Sequence, residues 1–257
     1  MRIMAKTQKI TLNDVRESLN PDIVSDVSVR WFGRPLGNLI TPFFNNTGWT
    51  ANGVTIVRFP IALVGVLFLA IPEPNLWQVS ALIYYLCFIL DFVDGNLARL
   101  QNDATYFGKF LDGVADFVYG LLAPFALGMG LWQYFNEPIA IVIGALISLT
   151  SATNHMLRSR LSFFREWMVS LTGPLTKSEL DSAKLPCRIQ AKAAFFIVNA
   201  YFFCFLLLFY PVWGGVALLG LLVLFQMIPD IVWMGTTFAE ANALLRRGRI
   251  SRHARVE

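Results

Sequence analysis

The chain has 257 residues and a formal net charge of +4; 56% of its residues are hydrophobic and only 15% are charged. Soluble domains usually carry about 25% charged residues, because a water-exposed surface needs charge. Together with a mean hydropathy of +0.55, this composition excludes a disordered chain, a nucleic-acid-binding domain and a small secreted scaffold. It predicts an integral membrane protein with several spans.

The N-terminal part of the chain precedes the first membrane-length apolar run. Residues 1–22 form a polar segment, and residues 23–47 mix apolar side chains with arginines. Within 23–47, positions 32, 36, 39, 40 and 43 are apolar and recur at helical spacing on one face. This pattern predicts an amphipathic juxtamembrane helix that lies on the cytoplasmic membrane interface. The alternative is an ordinary juxtamembrane linker.

Six apolar stretches are long enough to cross a bilayer, which takes about 20 helical residues each. Their predicted bounds are 53–72, 76–98, 106–132, 137–157, 191–210 and 213–236. Three connections between them are very short and contain Pro, Gly or Asn, which are common turn residues. Short connections make neighbouring helices antiparallel. The predicted fold class is therefore an all-α integral membrane protein, a six-transmembrane-helix bundle over 48–240 with an N-terminal interfacial amphipathic helix.

Basic residues fall on alternate connections. The three short connections contain no Lys or Arg, whereas residues 1–52 contain six, the stretch from Arg158 to Lys192 contains seven, and the tail 241–257 contains five. The positive-inside rule assigns the basic side to the cytoplasm. The sequence therefore predicts that both termini are cytoplasmic and that the basic tail lies on that side.

Four aspartates lie in or beside apolar helices, at a cost of roughly 2.5–3.5 kcal/mol each at a helix centre. At 100° per residue, Asp91 and Asp94 share one stripe of the second span, and Asp112 and Asp116 share one stripe of the third. Because a short loop joins these spans, the stripes can face each other. Four carboxylates in a low dielectric need cations, and oxygen-only ligands point to Mg²⁺ or Mn²⁺. Four are enough for a two-metal site that clamps phosphate oxygens.

Small residues accompany the aspartates on the same stripes. Gly95, Ala98 and Gly108 leave a gap in which a ligand can approach the backbone; the alternative is close helix packing through small residues. Arg99 lies one turn towards the cytoplasm, where it suits a phosphate. The alternative for Arg99 is an interfacial anchor.

Read together, these positions form Asp-x2-Asp-Gly-x2-Ala-Arg-x8-Gly-x3-Asp-x3-Asp, from Asp91 to Asp116. Every fixed position and gap resembles the signature of the CDP-alcohol phosphotransferase family. The resemblance covers roughly 30–240. It implies cleavage of a CDP-linked donor, release of CMP, a phosphodiester formed on an acceptor alcohol, two divalent cations and a homodimer in a bacterial inner membrane.

The resemblance also implies residue roles. Asp91, Asp94 and Asp112 match metal ligands, and Asp116 matches the general base, which also touches a metal. The positions that match the CDP-binding residues are Gly95, Ala98, Arg99 and Gly108. The segment from Thr55 to Pro60, with Arg58, resembles the phosphatidylglycerophosphate synthase branch, whereas Arg34-Pro35 and Leu39 to Pro42 resemble branches with soluble polyol donors. The family's proline before the first span is missing, since the chain reads Ala51-Asn52-Gly53-Val54-Thr55.

The preferred donor is CDP-diacylglycerol, with a soluble CDP-alcohol as the alternative. Arg158, Arg160 and Arg165 follow the fourth span and are the candidate acceptor-binding residues, because arginine holds phosphate through bidentate contacts. Their alternative role is that of positive-inside anchors. Asp230 is a further intramembrane acid that either lines the same cavity or pairs with an arginine. A rival function of another class is a cation transporter, since intramembrane carboxylates also mark ion pathways.

Overall fold

The computed structural model describes residues 9–18, 34–102, 105–173 and 200–253, and every regular element in those ranges is helical. We number the helices α1 to α9 in chain order, with a five-residue π-helix between α8 and α9. Their bounds are α1 Leu12–Glu17, α2 Arg34–Asn46, α3 Ala51–Ala70, α4 Pro74–Leu100, α5 Tyr106–Phe135, α6 Ile139–Thr172, α7 Ala200–Phe209, α8 Pro211–Leu222, the π-helix Val223–Met227, and α9 Ile228–His253.

Five of the described helices are long and apolar enough to cross a membrane. They are α3, α4, α5, α6 and the continuous helix that runs from α8 through the π-helix into α9. The all-α membrane fold is therefore confirmed in its coarse form. The fifth predicted span, 191–210, lies partly outside the described residues, and the structure describes its end as the ten-residue α7. The count of six stays a prediction.

The fourth long helix extends well beyond the predicted fourth span. The fourth span was expected to end near residue 157, but α6 continues to Thr172, fifteen residues further. No Pro or Gly lies between residue 157 and Gly173, which has a positive φ of 84° and ends the helix. The three candidate acceptor arginines therefore lie on the C-terminal half of α6, and not on a loop.

The predicted amphipathic segment is helical where the structure describes it, over α2. Its inner face, including Gly37 and Thr41, is buried and packs against α4. On the opposite face, Leu39 is 59% and Phe43 is 65% exposed. Residues 23–33 lie outside the described part of the chain, and the position of α2 on a membrane interface stays a prediction.

Glycine residues allow α5 and α6 to pack at a short distance. A Cβ atom at Gly128 on α5 would lie 2.5 Å from the carbonyl oxygen of Ala140, and one at Gly144 on α6 would lie 2.4 Å from that of Pro124. Any side chain there would force the two backbones apart. Close packing without an inserted side chain is typical of membrane helix pairs, and here it fixes α5 against its neighbour.

A larger apolar cluster lies at the end of the bundle away from the aspartates. Trp77 is fully buried there, its Nε1 donates to the carbonyl oxygen of Ile71 at 2.7 Å, and it packs with residues of α3, α5 and α7. A smaller cluster of Ala51, Val54, Leu90, Val93 and Leu97 joins α3 to α4 beside the aspartates. Together the clusters hold α3, α4 and α5 in one unit that carries every residue of the motif.

Asp230 has a partner that the sequence did not predict. Asn154 Nδ2 on α6 donates to Asp230 Oδ1 on α9 at 2.6 Å, and both residues are buried. Asp230 does not line the cavity described below. It therefore joins α6 to α9 just after the π-helix.

Candidate active site

A buried arginine joins three of the four predicted aspartates. Arg58 on α3 donates through Nη1 to Asp91, and through Nη2 to Asp112 Oδ1 at 2.6 Å and Asp116 Oδ1 at 3.4 Å. Arg58 is only 5% exposed. One oxygen of each of the three carboxylates lies within 4.8 Å of the other two. The facing of the two stripes, expected from helical spacing, is thus present in the structure.

Asp94 has a different partner. Thr55 Oγ1, one turn before Arg58 on α3, donates to Asp94 Oδ2 at 2.8 Å, and both residues are buried. Asp94 lies outside the group of three oxygens but lines the same cavity as Asp112. The four carboxylates therefore form a group of three around a guanidinium and a fourth that is held by a hydroxyl group.

A cavity of about 460 Å³ opens beside the aspartates, between the end of α4 and the starts of α3 and α5. Lys109 and Tyr106 of α5 line it together with Asn52 of α3. A cavity of this volume is within the usual range of small-molecule sites. Six of the eight motif positions line it: Asp94, Gly95, Ala98, Arg99, Gly108 and Asp112.

A second, much smaller cavity of about 30 Å³ lies next to Arg58. Its lining includes the other two motif aspartates, Asp91 and Asp116, together with Cys87 and Tyr119. The aspartates are thus divided between two spaces, with Asp94 and Asp112 on the side of the large cavity. Arg58 bonds to aspartates of both groups.

The two motif glycines have different surroundings in the structure. A Cβ atom at Gly95 would meet only the guanidinium nitrogens of Arg99, at 3.7 Å, so this position leaves space in the cavity. At Gly108 a Cβ atom would lie 2.7 Å from Asn52 Oδ1, so this position allows α5 to approach α3. Thr105 caps this end of α5 by accepting a hydrogen bond from the Gly108 amide at 3.0 Å. Gly95 thus adjoins open space in the cavity, whereas Gly108 is closely packed against α3.

A chain of polar contacts holds Arg99 at the cavity. Its Nη2 donates to Asn96 Oδ1 at 2.7 Å. Asn96 in turn donates through Nδ2 to Asn38 Oδ1 and Thr41 Oγ1 of α2, both at 3.0 Å. The N-terminal helix α2 therefore positions the motif arginine, a contribution that the motif itself does not reveal.

The three candidate acceptor arginines do not line the large cavity. Arg165 forms an ion pair with Glu240 of α9, and the guanidinium carbon of Arg158 lies 4.7 Å from the ring centre of Trp233. Arg160 is exposed on the same helix. Two of the three are thus engaged with α9.

Sequence reasoning gave no site role to Arg58, Thr55, Asn52 or Lys109. A signal for Arg58 was present, since it is a charged residue within an apolar stretch and such residues are rare unless paired or functional. The positive-inside count accounts for it equally well, so only the fold distinguishes the two explanations. Nothing in the motif predicts that Asp94 and Asp91, three residues apart, take different partners.

The donor atoms fit hard divalent cations. The converging groups are carboxylate and hydroxyl oxygens, which Mg²⁺ and Mn²⁺ prefer. Among the described residues, no histidine lines either cavity, and Cys87 lies on the small cavity away from Asp94 and Asp112. A cluster that could bind a metal is therefore present.

The sequence is similar to bacterial phosphatidyltransferases. It is 34% identical over 118 residues to a CDP-diacylglycerol–glycerol-3-phosphate 3-phosphatidyltransferase from Salmonella choleraesuis (strain SC-B67), which covers 45% of this chain and 59% of that protein. It is 32% identical over 145 residues to the protein of the same name from Wigglesworthia glossinidia brevipalpis, covering 55% of this chain and 72% of that protein.

A third relative is the inner membrane protein YnjF of Escherichia coli (strain K12), which is 36% identical over 93 residues, or 36% of this chain and 43% of that protein. Such relatives and the apolar helices support a multi-pass bacterial membrane protein. The sequence model of the CDP-alcohol phosphatidyltransferase family matches residues 49–229, which include the whole motif and both cavities. The chain therefore belongs to the CDP-alcohol phosphatidyltransferase family.

Proposed function

We propose that this protein transfers a phosphatidyl group from CDP-diacylglycerol to an acceptor alcohol, releasing CMP and forming a phosphodiester in phospholipid synthesis. The observation that carries this proposal is the convergence of six motif positions on one cavity with the aspartates at its inner side. The names of the relatives from Salmonella and Wigglesworthia add support for the donor and suggest glycerol 3-phosphate as the acceptor.

Asp91, Asp94, Asp112 and Asp116 would hold two divalent cations. When bound, such ions neutralise phosphate charge and stabilise the leaving and attacking oxygens of an in-line displacement. The protein supplies rigid ligands, since the carboxylates project from packed helices. Thr55 fixes Asp94 by donating to one of its oxygens, which leaves the other oxygen available to a ligand.

The large cavity would hold the cytidine and diphosphate end of the donor. Gly95 and Ala98 leave space for a ligand next to α4. Arg99, held by Asn96, presents its guanidinium group at the cavity, where it can pair with a phosphate. Gly108 lies opposite, on α5, beside Lys109.

The acceptor hydroxyl would attack from the other side of the aspartates. An in-line displacement requires the nucleophile to approach opposite the departing CMP. Asp116 lies one helical turn, ~6 Å, further along α5 than Asp112, and it lines the small cavity. We assign it as the general base that accepts the hydroxyl proton, while one of its oxygens also serves the metal cluster.

Arg158, Arg160 and Arg165 remain our candidates for binding a phosphorylated acceptor. Arginine suits this role because it holds phosphate with two parallel hydrogen bonds. An acceptor would have to compete with Glu240 for Arg165 and with Trp233 for Arg158. We infer further that the active protein is a homodimer, as the family resemblance implies; light scattering of the purified protein measures this.

The donor assignment predicts the products of one assay. Purified protein incubated with Mn²⁺, glycerol 3-phosphate and CDP-diacylglycerol should release CMP and place the acyl label of the donor in a new phospholipid. The alternative, a soluble CDP-alcohol donor, predicts that label in the alcohol of that donor enters the product instead. Mass spectrometry of the lipid and quantification of CMP distinguish the two. Absence of CMP release with every donor would contradict transferase activity altogether.

We propose that both termini and the large cavity face the cytoplasm. In a background without Cys87, Cys187 and Cys204, single cysteines at Glu73, Asn136 or Trp213 should react with an impermeant maleimide added to intact spheroplasts. These three positions are exposed and lie at the end of the bundle opposite the motif. Cysteines at Thr47 or Gln101 should react only after permeabilisation. Labelling of both groups from the same side would contradict this topology.

A further inference from the structure

We propose that Arg58 is a built-in competitor of divalent metal ions at the aspartate cluster, so that metal binding requires its guanidinium group to leave the carboxylates. This inference rests on the proposed function, because it takes the aspartates as metal ligands. It assigns a role to a residue outside the motif. It also predicts that metal affinity is lower than the four carboxylates alone would produce.

The geometry places the guanidinium where a metal would bind. Nη2 of Arg58 lies 2.6 Å from Asp112 Oδ1 and 3.4 Å from Asp116 Oδ1, and Nη1 bonds to Asp91. Mg²⁺ binds oxygen at about 2.0–2.1 Å, so an ion shared by the same oxygens would overlap the nitrogen. The two cations can therefore not occupy these oxygens together.

A metal ion that binds the second oxygen of each carboxylate would still be opposed by Arg58. The three contacted oxygens lie within 4.8 Å of one another, so an ion on neighbouring oxygens remains a few ångströms from the guanidinium group. Arg58 is buried, and repulsion between a monovalent and a divalent cation is strong where water does not screen it. Occupancy by one cation thus opposes occupancy by the other.

The contacts of Arg58 also explain why the chain keeps this cation inside the bundle. Three acidic side chains from α4 and α5 meet at its guanidinium group. Asp91 and Asp112 are half-buried and Asp116 is exposed, and three carboxylates this close together repel each other unless a cation lies between them. Arg58 joins α3 to α4 and α5 through these contacts, so the three helices hold together when no metal ion is bound.

Asp94 is not among the three carboxylates that are bonded to Arg58. Its contact is the hydroxyl of Thr55, which carries no charge, and it lines the large cavity with Asp112. An ion that enters from the large cavity can therefore bind Asp94 without displacing Arg58. Displacement of Arg58 from Asp112 then opens the inner oxygens.

The test measures Mn²⁺ binding to the full-length, detergent-purified protein without substrates, by electron paramagnetic resonance of free Mn²⁺. Arg58→Gln removes the competing charge but keeps a polar side chain. It should bind Mn²⁺ at least about 5-fold more tightly than the unmodified protein, the lower end of typical coupling between sites. The matched control is Arg165→Gln, which also removes an arginine from a carboxylate pair but lies on α6 outside both cavities. It should leave the Mn²⁺ affinity unchanged.

Thermal unfolding supplies a second readout. With chelator, Arg58→Gln should have a lower Tm than the unmodified protein, and saturating Mn²⁺ should raise its Tm by a larger amount. Recovery of folded Arg58→Gln only in the presence of Mn²⁺ would support the proposal, because the metal then replaces the missing charge. If that variant is not recovered at all, Arg58→Met decides, since it also lacks the competing charge and should likewise tighten Mn²⁺ binding.

Equal or weaker Mn²⁺ binding by the Arg58 variant that is recovered would overturn the proposal, because Arg58 would then support the metal ligands. Failure of the proposed function gives a different result. In that case the unmodified protein would bind no Mn²⁺, or Asp112→Asn would leave its binding unchanged.

Discussion

Replacement of Asp112 by Asn is expected to lower turnover at least about 10²-fold and to weaken Mn²⁺ binding. Asp112 shares the Arg58 guanidinium group with Asp91 and Asp116, and it also lines the large cavity beside Asp94. It therefore links the three aspartates around Arg58 to the large cavity. The cations that Asp112 would hold stabilise the charge of the transferring phosphate; each 1.36 kcal/mol of lost transition-state stabilisation is a factor of ten in rate, so a 10²-fold loss corresponds to about 2.7 kcal/mol. Asp91→Asn should behave similarly.

Release of CMP from CDP-diacylglycerol and Mn²⁺ binding are the two measurements for this prediction. The matched control is Asp230→Asn, which changes a buried aspartate that accepts a hydrogen bond from Asn154 and lines neither cavity. It should retain Mn²⁺ affinity. Full activity of Asp112→Asn, or full activity of the unmodified protein in excess chelator, would refute the two-metal proposal.

Asp116→Asn is expected to lose at least about 10²-fold in turnover, the lower end of general-base contributions, while it still binds the donor. The amide keeps the shape of the side chain and one acceptor oxygen, but it cannot take the proton of the acceptor hydroxyl. Asp116 makes the longest of the three contacts to Arg58, at 3.4 Å, and lies outside the large cavity. Its substitution should therefore disturb the donor site least.

Donor binding and Mn²⁺ binding, measured beside single-turnover CMP release, separate the roles of Asp116. Asp112→Asn serves as the comparison, since it should lose metal binding and turnover together. If Asp116→Asn loses both to the same extent as Asp112→Asn, Asp116 is only a ligand. The proton would then leave through another group.

The sequence by itself was sufficient for the membrane class and the order of the helices, and its motif contains the six positions that line the large cavity. Apolar length predicts spans, because every backbone polar group in lipid must be satisfied within a helix or a closed barrel. Helical spacing predicts that Asp91 and Asp94 share one face, and a short loop makes α4 and α5 neighbours. The structure describes α3 to α6 close to the predicted spans, with the end of α6 as the exception.

The apolar pattern of the sequence did not indicate where α6 ends. The continuous apolar pattern stops near residue 157, so the predicted span ends there, whereas the helix itself continues through a mixed polar and apolar sequence to Thr172. Helix formation does not require an apolar sequence, and only a residue such as Gly173 ends it. A boundary between lipid and water is therefore not a boundary of the helix.

Only the tertiary structure decided which residues face the aspartates from other helices. Arg58 and Thr55 come from α3, more than 30 residues before their partners, and Asn38 and Thr41 reach the motif from α2. Periodicity along one helix places residues on its face but does not specify which neighbouring face meets it. That choice follows from close packing, as at Gly108 beside Asn52, and it makes Arg58 a partner of the motif aspartates.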